Sequence, residues 1–216
     1  IAVSHTSKQA LALFSREIAQ AATGMAPGLT GIVGGRPSVY PMIRLFSFLI
    51  DKHNCQLGLS LAGQNQPIAL PDTAHFTGTP SSPTPAPVIG DQASGGLVQV
   101  PLLRLAVARS GDKGNHSNIG VMARQADYLP WIAAALSENA VANWMAHVLD
   151  AERGKVTRWY LPGSHSLNFL LENSLGGGGV ASLRIDPQGK AFAQQLLEMP
   201  VSIPAALLPP GLEPTA

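Results

Sequence analysis

Residues 98–123 read VQVPLLRLAVARSGDKGNHSNIGVMA, and this stretch decides the fold. Val98 to Ala108 is an apolar run with only Gln99 and Arg104 as polar interruptions, which reads as a buried strand. Ten residues without a large apolar side chain follow, from Arg109 to Asn118. Ile119 to Met122 is then a second short apolar segment. The pattern is strand, polar loop, strand.

The elements downstream alternate in kind. Pro130 to Leu149 reads as helical, in one or two pieces, with Trp131, Ala134, Ala135, Val141, Trp144, Met145 and Val148 on one side and Gly154 as its end. Lys155 to Leu161 alternates as a strand does, and Leu167 to Leu171 is a short apolar segment. Gly176 to Gly179 reads as a flexible connection. Val180 to Ile185 is expected as a strand, Gly189 to Glu198 as a helix and Val201 to Ile203 as a last strand. Strands and helices in this order predict an α+β sandwich of ferredoxin-like type over about 98–204. The Pro-rich tail, 205–216, is expected to fray.

Upstream the signal is more broken. Leu11, Phe14, Ile18 and Ala21 recur at helical spacing and predict a helix over 5–22, with Ser4 and Ser7 as candidate caps. Gly24 ends that pattern and Pro27-Gly28 makes a turn. Thr30 to Val33 is β-prone, Ile43 to Ile50 is apolar without a deciding period, and Gln56 to Leu61 reads as a strand. Residues 63–99 hold six prolines and five glycines, with Asp72 and Asp91 as their only charges. That composition, densest over Thr77 to Pro87, predicts a linker or surface arm. The organisation expected is therefore a partial α/β segment (1–62), a Pro/Gly-rich linker (63–97), the sandwich module and the tail.

Composition bounds the function. A net charge of +1 without a basic stripe leaves nucleic acid no electrostatic footprint. Apolar runs are too short or too interrupted to span a bilayer, so no membrane partner is expected. The single cysteine, Cys55, cannot form an internal disulfide, which fits a reducing compartment. Only 12% of residues are charged, so copies repel each other little, and burial against another subunit or domain is expected. The start, Ile1-Ala2-Val3, has no initiator methionine, which suits processing or a piece of a longer protein.

The loop carries the chemistry: Arg109-Ser110-Gly111-Asp112-Lys113-Gly114-Asn115-His116-Ser117-Asn118. Two glycines bracket Asp112-Lys113 and allow the backbone close to a ligand, while Arg109 and Lys113 supply positive charge for a phosphate or carboxylate. Asp112 is suited to orient Lys113 or to act as a base, and Asn115 or Asn118 to shape the loop. Gly-Asp-Lys-Gly is equally a hairpin turn between two strands. The spacing of a phosphate loop is missing, which disfavours a nucleotide-binding module of that type.

Other polar clusters say less. His53 and Cys55 are expected on one strand face, but a metal needs further ligands, and no histidine pair has helical metal-site spacing. Pro162-Gly163-Ser164-His165-Ser166 reads as a capping turn rather than a nucleophile elbow. Trp131, Trp144 and Trp159 read as core or interface residues, and His147 as an interfacial helix residue. No catalytic residue, metal or cofactor is assigned.

Arg-Ser-Gly-Asp-Lys-Gly-Asn at 109–115, with Asn118-Ile119-Gly120, resembles the C-terminal module of the acyclic terpene utilisation (AtuA) family. Gly177-Gly178-Gly179, Ser182 to Asp186, Gly189-Lys190, Leu196-Leu197 and Val201 to Pro204 agree with it. Gly28 to Gly34, Arg36-Pro37 and Arg44 to Leu49 are similar to the end of that family's main domain, of which this chain holds only the last part. The resemblance implies a ferredoxin-like module in a cytoplasmic protein of citronellol or geraniol catabolism. Such pathways run through CoA thioesters and biotin-dependent carboxylation. The implied ligand is an acyl-CoA or branched carboxylate, held at Arg109, Ser110, Gly111, Asp112, Lys113, Gly114, Asn115 and Asn118. The alternative is a non-catalytic accessory or assembly module that packs on another subunit or domain.

Overall fold

The computed structural model describes residues 1–29, 35–70, 82–90 and 96–209. The β-prone run Thr30 to Val33, residues 77–81 of the Pro-rich stretch Thr77 to Pro87 and the end of the tail lie outside them. The chain falls into two compact units, Phe46–Pro83 and Ile1–Leu45 with Thr84–Ala216.

Helix α1 (Lys8–Glu17) starts where Ser7 caps it, its hydroxyl accepting from the Ala10 amide at 3.3 Å. A 3₁₀ turn, Ile18–Gln20, leads into one further turn, α2 (Ala21–Gly24). The predicted stripe Leu11, Phe14, Ile18 and Ala21 is the half-buried face. Ser15, beside it, is buried and donates its hydroxyl to the Pro37 carbonyl at 2.7 Å. Ile43 to Ile50 is neither helix nor strand.

In the smaller unit, β1 (Leu57–Leu61) pairs antiparallel with β2 (Gln64–Ile68). Strand β2 was not expected, because it lies in the stretch that composition marks as a linker. Ala62 and Gly63, both at positive φ, make the two-residue turn that joins the hairpin. His53 lies in a 3₁₀ turn, Lys52–Asn54, and not on a strand with Cys55, because Asp51 caps that turn by accepting from the His53 amide.

The apolar run 98–108 is not one strand. β3 (Leu97–Pro101) ends at Pro101, one helical turn α3 (Leu102–Leu105) follows, and β4 (Ala106–Lys113) begins after it. Leu102 and Leu105 are both fully buried. Three residues apart, they would point to opposite faces in a strand, and a helical turn puts them on one side. Then come β5 (His116–Ala123), α4 (Leu129–Ala135), α5 (Glu138–Trp144), β6 (Lys155–Leu161), β7 (Ser166–Glu172), α6 (Phe192–Leu197) and β8 (Pro200–Pro204). The expected strand at Val180 to Ile185 is instead a series of turns and bends, with Ile185 fully exposed.

Four strands form one antiparallel sheet in the order β4-β5-β7-β6, and β3 pairs with β8 in a second, two-stranded sheet. β7 is antiparallel to both β5 and β6, so β5, the α4–α5 helices and β6 form a split βαβ unit with β7 between its strands. The fold is α+β. The edge beside β5 is taken by its own hairpin partner β4, while β8 pairs with β3. Alternate residues of the four-stranded sheet face a single core: Ile119, Val121, Leu167, Phe169 and Leu171 pack with Ile132, Leu136, Val141, Met145, Phe192 and Leu196. Arg158 also points inward and donates to the carbonyls of Ala133 and Leu136 at 2.6 and 2.8 Å, where the last turn of α4 leaves acceptors unpaired.

No helix among the described residues is long and apolar enough to cross a membrane.

Candidate functional site

The sequence RSGDKGNHSN is not a loop leaving a strand. It is the distal half of the β4–β5 hairpin, paired without interruption from Ala106↔Ala123 to Lys113↔His116. The turn is Gly114-Asn115 and not Gly-Asp-Lys-Gly. Gly114 has φ +65° and Asn115 is not at positive φ, the pattern of a II′ turn.

Strand parity therefore divides the predicted site residues. Ser110 and Asp112 lie on the core side, in register with Ile119 and Ser117. Arg109, Gly111 and Lys113 lie on the outer side, in register with Gly120, Asn118 and His116. Gly114 and Asn115 make the tip.

The inward group holds the module together. The buried Ser110 hydroxyl donates to the Gly189 carbonyl at 2.6 Å and accepts from the Ala193 amide at 2.9 Å, which fixes the start of α6. Ser117 and Ser174 share a buried hydroxyl bond of 2.7 Å. At the tip, Asn115 donates to the Asn173 side chain at 3.0 Å, while its own carbonyl accepts from Ser174 and Leu175. Its side-chain oxygen accepts from the Gly177 amide at 2.6 Å. His116 Nδ1 accepts from the Asn173 amide at 2.9 Å. The glycine run is thus a packed turn rather than a flexible connection: a Cβ on Gly178 would lie 2.8 Å from the Gly114 carbonyl oxygen. Arg184 closes this end by donating to the carbonyls of Val148 and Ser174.

The outer face carries several exposed side chains. Its rows run across the strands: Val107, Met122, Ser166, Leu161; then Arg109, Gly120, Asn168, Trp159; then Gly111, Asn118, Leu170, Thr157. Val107, Met122, Trp159 and Leu161 keep 38–47% of their surface exposed. Arg109 and Lys113 are exposed two rows apart on the edge strand. Lys113 Nζ donates to the backbone carbonyl of Asp112 at 3.0 Å. The Asp112 carboxylate does not orient Lys113; it pairs with Lys190 at 3.6 Å, because inward parity turns it toward the segment before α6. A Cβ on Gly111 would stand 3.3 Å from Lys190 Nζ, so this ammonium reaches round the free edge of β4 to the outer side. Arg109, Lys113 and Lys190 thus lie along one edge of the sheet, Lys190 paired with Asp112. Asn118 donates to Asn168 at 3.1 Å beside them.

Lys190, Asn168 and Trp159 were not read from the sequence as members of this face. Trp159 had a legible signal, since alternation over Lys155 to Leu161 places it opposite the inward Val156 and Arg158. Trp144 also lies at the surface, where its indole N–H donates to the Gln195 carbonyl at 2.8 Å, and His147 meets the Gln195 side chain at 2.9 Å. The Pro162 to Ser166 segment is a turn, with His165 at φ +49° and the Ser164 hydroxyl donating to Leu161. Among the described residues no three His, Cys, Asp or Glu side chains are placed to hold a metal.

Residues 100–202 match the family model of the AtuA ferredoxin-like domain. The match covers the hairpin, the split βαβ unit, α6 and most of β8. It links this part of the chain to acyclic terpene utilisation. No curated protein and no solved structure matched the chain.

Proposed function

We propose that the chain serves the catabolism of acyclic terpenes of the citronellol or geraniol type, and that its module binds an acyl-CoA or branched carboxylate on the outer face of the four-stranded sheet. The observation that carries this reading is the row of cations on one sheet edge, Arg109 and Lys113 two residues either side of Gly111 and the Lys190 ammonium over it, with Asp112 paired to Lys190. Cations on an exposed sheet edge suit an anionic ligand, and Arg109 offers a planar fork for it. Binding of a branched acyl-CoA to the purified chain, followed by calorimetry, tests the reading. Affinity that is lost in Arg109→Gln and Lys113→Ala supports it, and affinity unchanged in both overturns it.

A second reading rests on a different observation. Val107, Met122, Trp159 and Leu161 are apolar, exposed and on the same face as the cations. A module that packs on another domain or subunit would cover them. Light scattering tests this: concentration-dependent assembly that is lost in Met122→Glu supports it, and a monomer at all concentrations argues for the ligand reading alone.

A further inference from the structure

We propose that the outer face recognises one adenosine diphosphate group, with its adenine on Trp159 and its phosphates at Arg109 and Lys190. This deepens the anion-binding reading above and rests on it. The same chemistry has two sources, the nucleotide end of CoA or a free nucleotide.

The groups involved run along one row of the sheet. Trp159, Asn168, Gly120 and Arg109 are in register across four strands, a span of about 14 Å at roughly 4.8 Å per strand. At one end Trp159 keeps 38% of its surface exposed, an aromatic platform on which a base stacks. Next to it the Asn118–Asn168 bond leaves Asn118 Oδ1 and Asn168 Nδ2 without a partner among the described residues. One acceptor and one donor side by side match the N6 and N7 edge of adenine. Gly120 follows with no side chain, so a ribose can lie on the strand. At the far end stand Arg109 and, over Gly111, the Lys190 ammonium. Several cations suit a diphosphate better than a single carboxylate, which one arginine satisfies. This mode needs no phosphate loop, which the sequence lacks. The reach of the long side chains at both ends shortens the open span between aromatic and cation.

Calorimetry on the whole chain tests the assignment with ADP, CoA, pantetheine and pyrophosphate. ADP and CoA are expected to bind, and pyrophosphate and pantetheine to bind at least tenfold more weakly. Trp159→Leu is expected to weaken ADP at least fivefold. Gly120→Val supplies an independent variant. A Cβ there meets only the Arg109 carbonyl oxygen at 4.0 Å, and a β-branched residue suits a strand, so the fold is kept while the ribose path is blocked. Loss of ADP binding in Gly120→Val with unchanged thermal unfolding supports the proposal. CoA tighter than ADP points to CoA as the source, and equal affinities point to a free nucleotide. No ADP binding at millimolar concentration, or binding indifferent to both variants, overturns it. If a branched carboxylate then still binds through Arg109 and Lys113, the nucleotide assignment fails and the function proposed above survives.

Discussion

The side-chain oxygen of Asn115 accepts a hydrogen bond from the amide of Gly177, 62 residues further along, at 2.6 Å. This bond joins the tip of the β4–β5 hairpin to the glycine turn after β7. It also explains why both segments have small residues: two backbones meet here, and side chains would keep them apart.

That contact separates two glycine substitutions. At Gly114, φ is +65° but an added Cβ meets nothing within 4 Å, so Gly114→Ala carries only backbone strain, about 1 kcal/mol. At Gly178, φ is +86° and the Cβ would meet the Gly114 carbonyl at 2.8 Å, so strain and a backbone clash add. Gly178→Ala is expected to cost about 2–3 kcal/mol in urea unfolding. Equal costs for the two would refute the close packing of the turn on the hairpin.

Ser110 gives a prediction about α6. Removing its hydroxyl leaves the buried Ala193 amide without its acceptor and the Gly189 carbonyl without this donor. Ser110→Ala is expected to destabilise the module by about 1–3 kcal/mol. Hydrogen exchange should rise first at Ala193, and uniform exchange across the module would contradict the anchoring role.

Period-two alternation made β6 legible, because Val156 and Arg158 alternate with the outward Lys155, Thr157 and Trp159. The hairpin was harder. Gly111, Gly114 and Gly120 are poor strand formers, so local propensity read a loop where Ser110, Ser117 and Asn115 hold a strand through contacts distant in sequence. The helical turn at Leu102 to Leu105 was hidden because both residues are apolar in either conformation. Val180 to Ile185 looked like a strand, yet Arg184 turns back to the carbonyls of Val148 and Ser174. The candidate face was half legible. Arg109 and Lys113 were named from the motif, but Lys190 and Asn168 joined them only through strand register and the wrap around the sheet edge.

The turn at Asp150 predicts an acid limit. Its carboxylate accepts from the Arg153 side chain at 3.0 Å and from the amides of Arg153 and Glu152, which lowers its pKa from 3.8 to about 2. A depressed pKa in the folded state means that the stabilisation is complete above the unfolded value and is lost as pH falls through the folded one. The contribution is therefore present above about pH 4 and fades toward pH 2. The group is exposed, so the effect is small and screened by salt. Asp150→Asn should abolish that part of the pH dependence, measured as the difference in Tm between about pH 5 and about pH 2.5. An unchanged difference would exclude the turn as its source.

Strand parity yields the last prediction. Arg109 and Lys113 point outward, and neither gives its side chain to the core. Their loss should leave folding within about 0.5 kcal/mol of the native value, the usual range for surface substitutions. Each should weaken acyl-CoA binding, about tenfold for Lys113→Ala, or about 1.4 kcal/mol. Asp112→Asn sits between the two classes. It frees Lys190 from its pairing at 3.6 Å, and an unpaired ammonium beside Arg109 raises the positive potential of that sheet edge. Ligand affinity should therefore rise in Asp112→Asn at low salt and return toward the native value as salt is added. Ser110→Ala runs the other way, with stability lost and affinity per folded molecule kept. If the outward substitutions unfold the chain while the inward one alters binding, the hairpin faces the opposite way from the register described above.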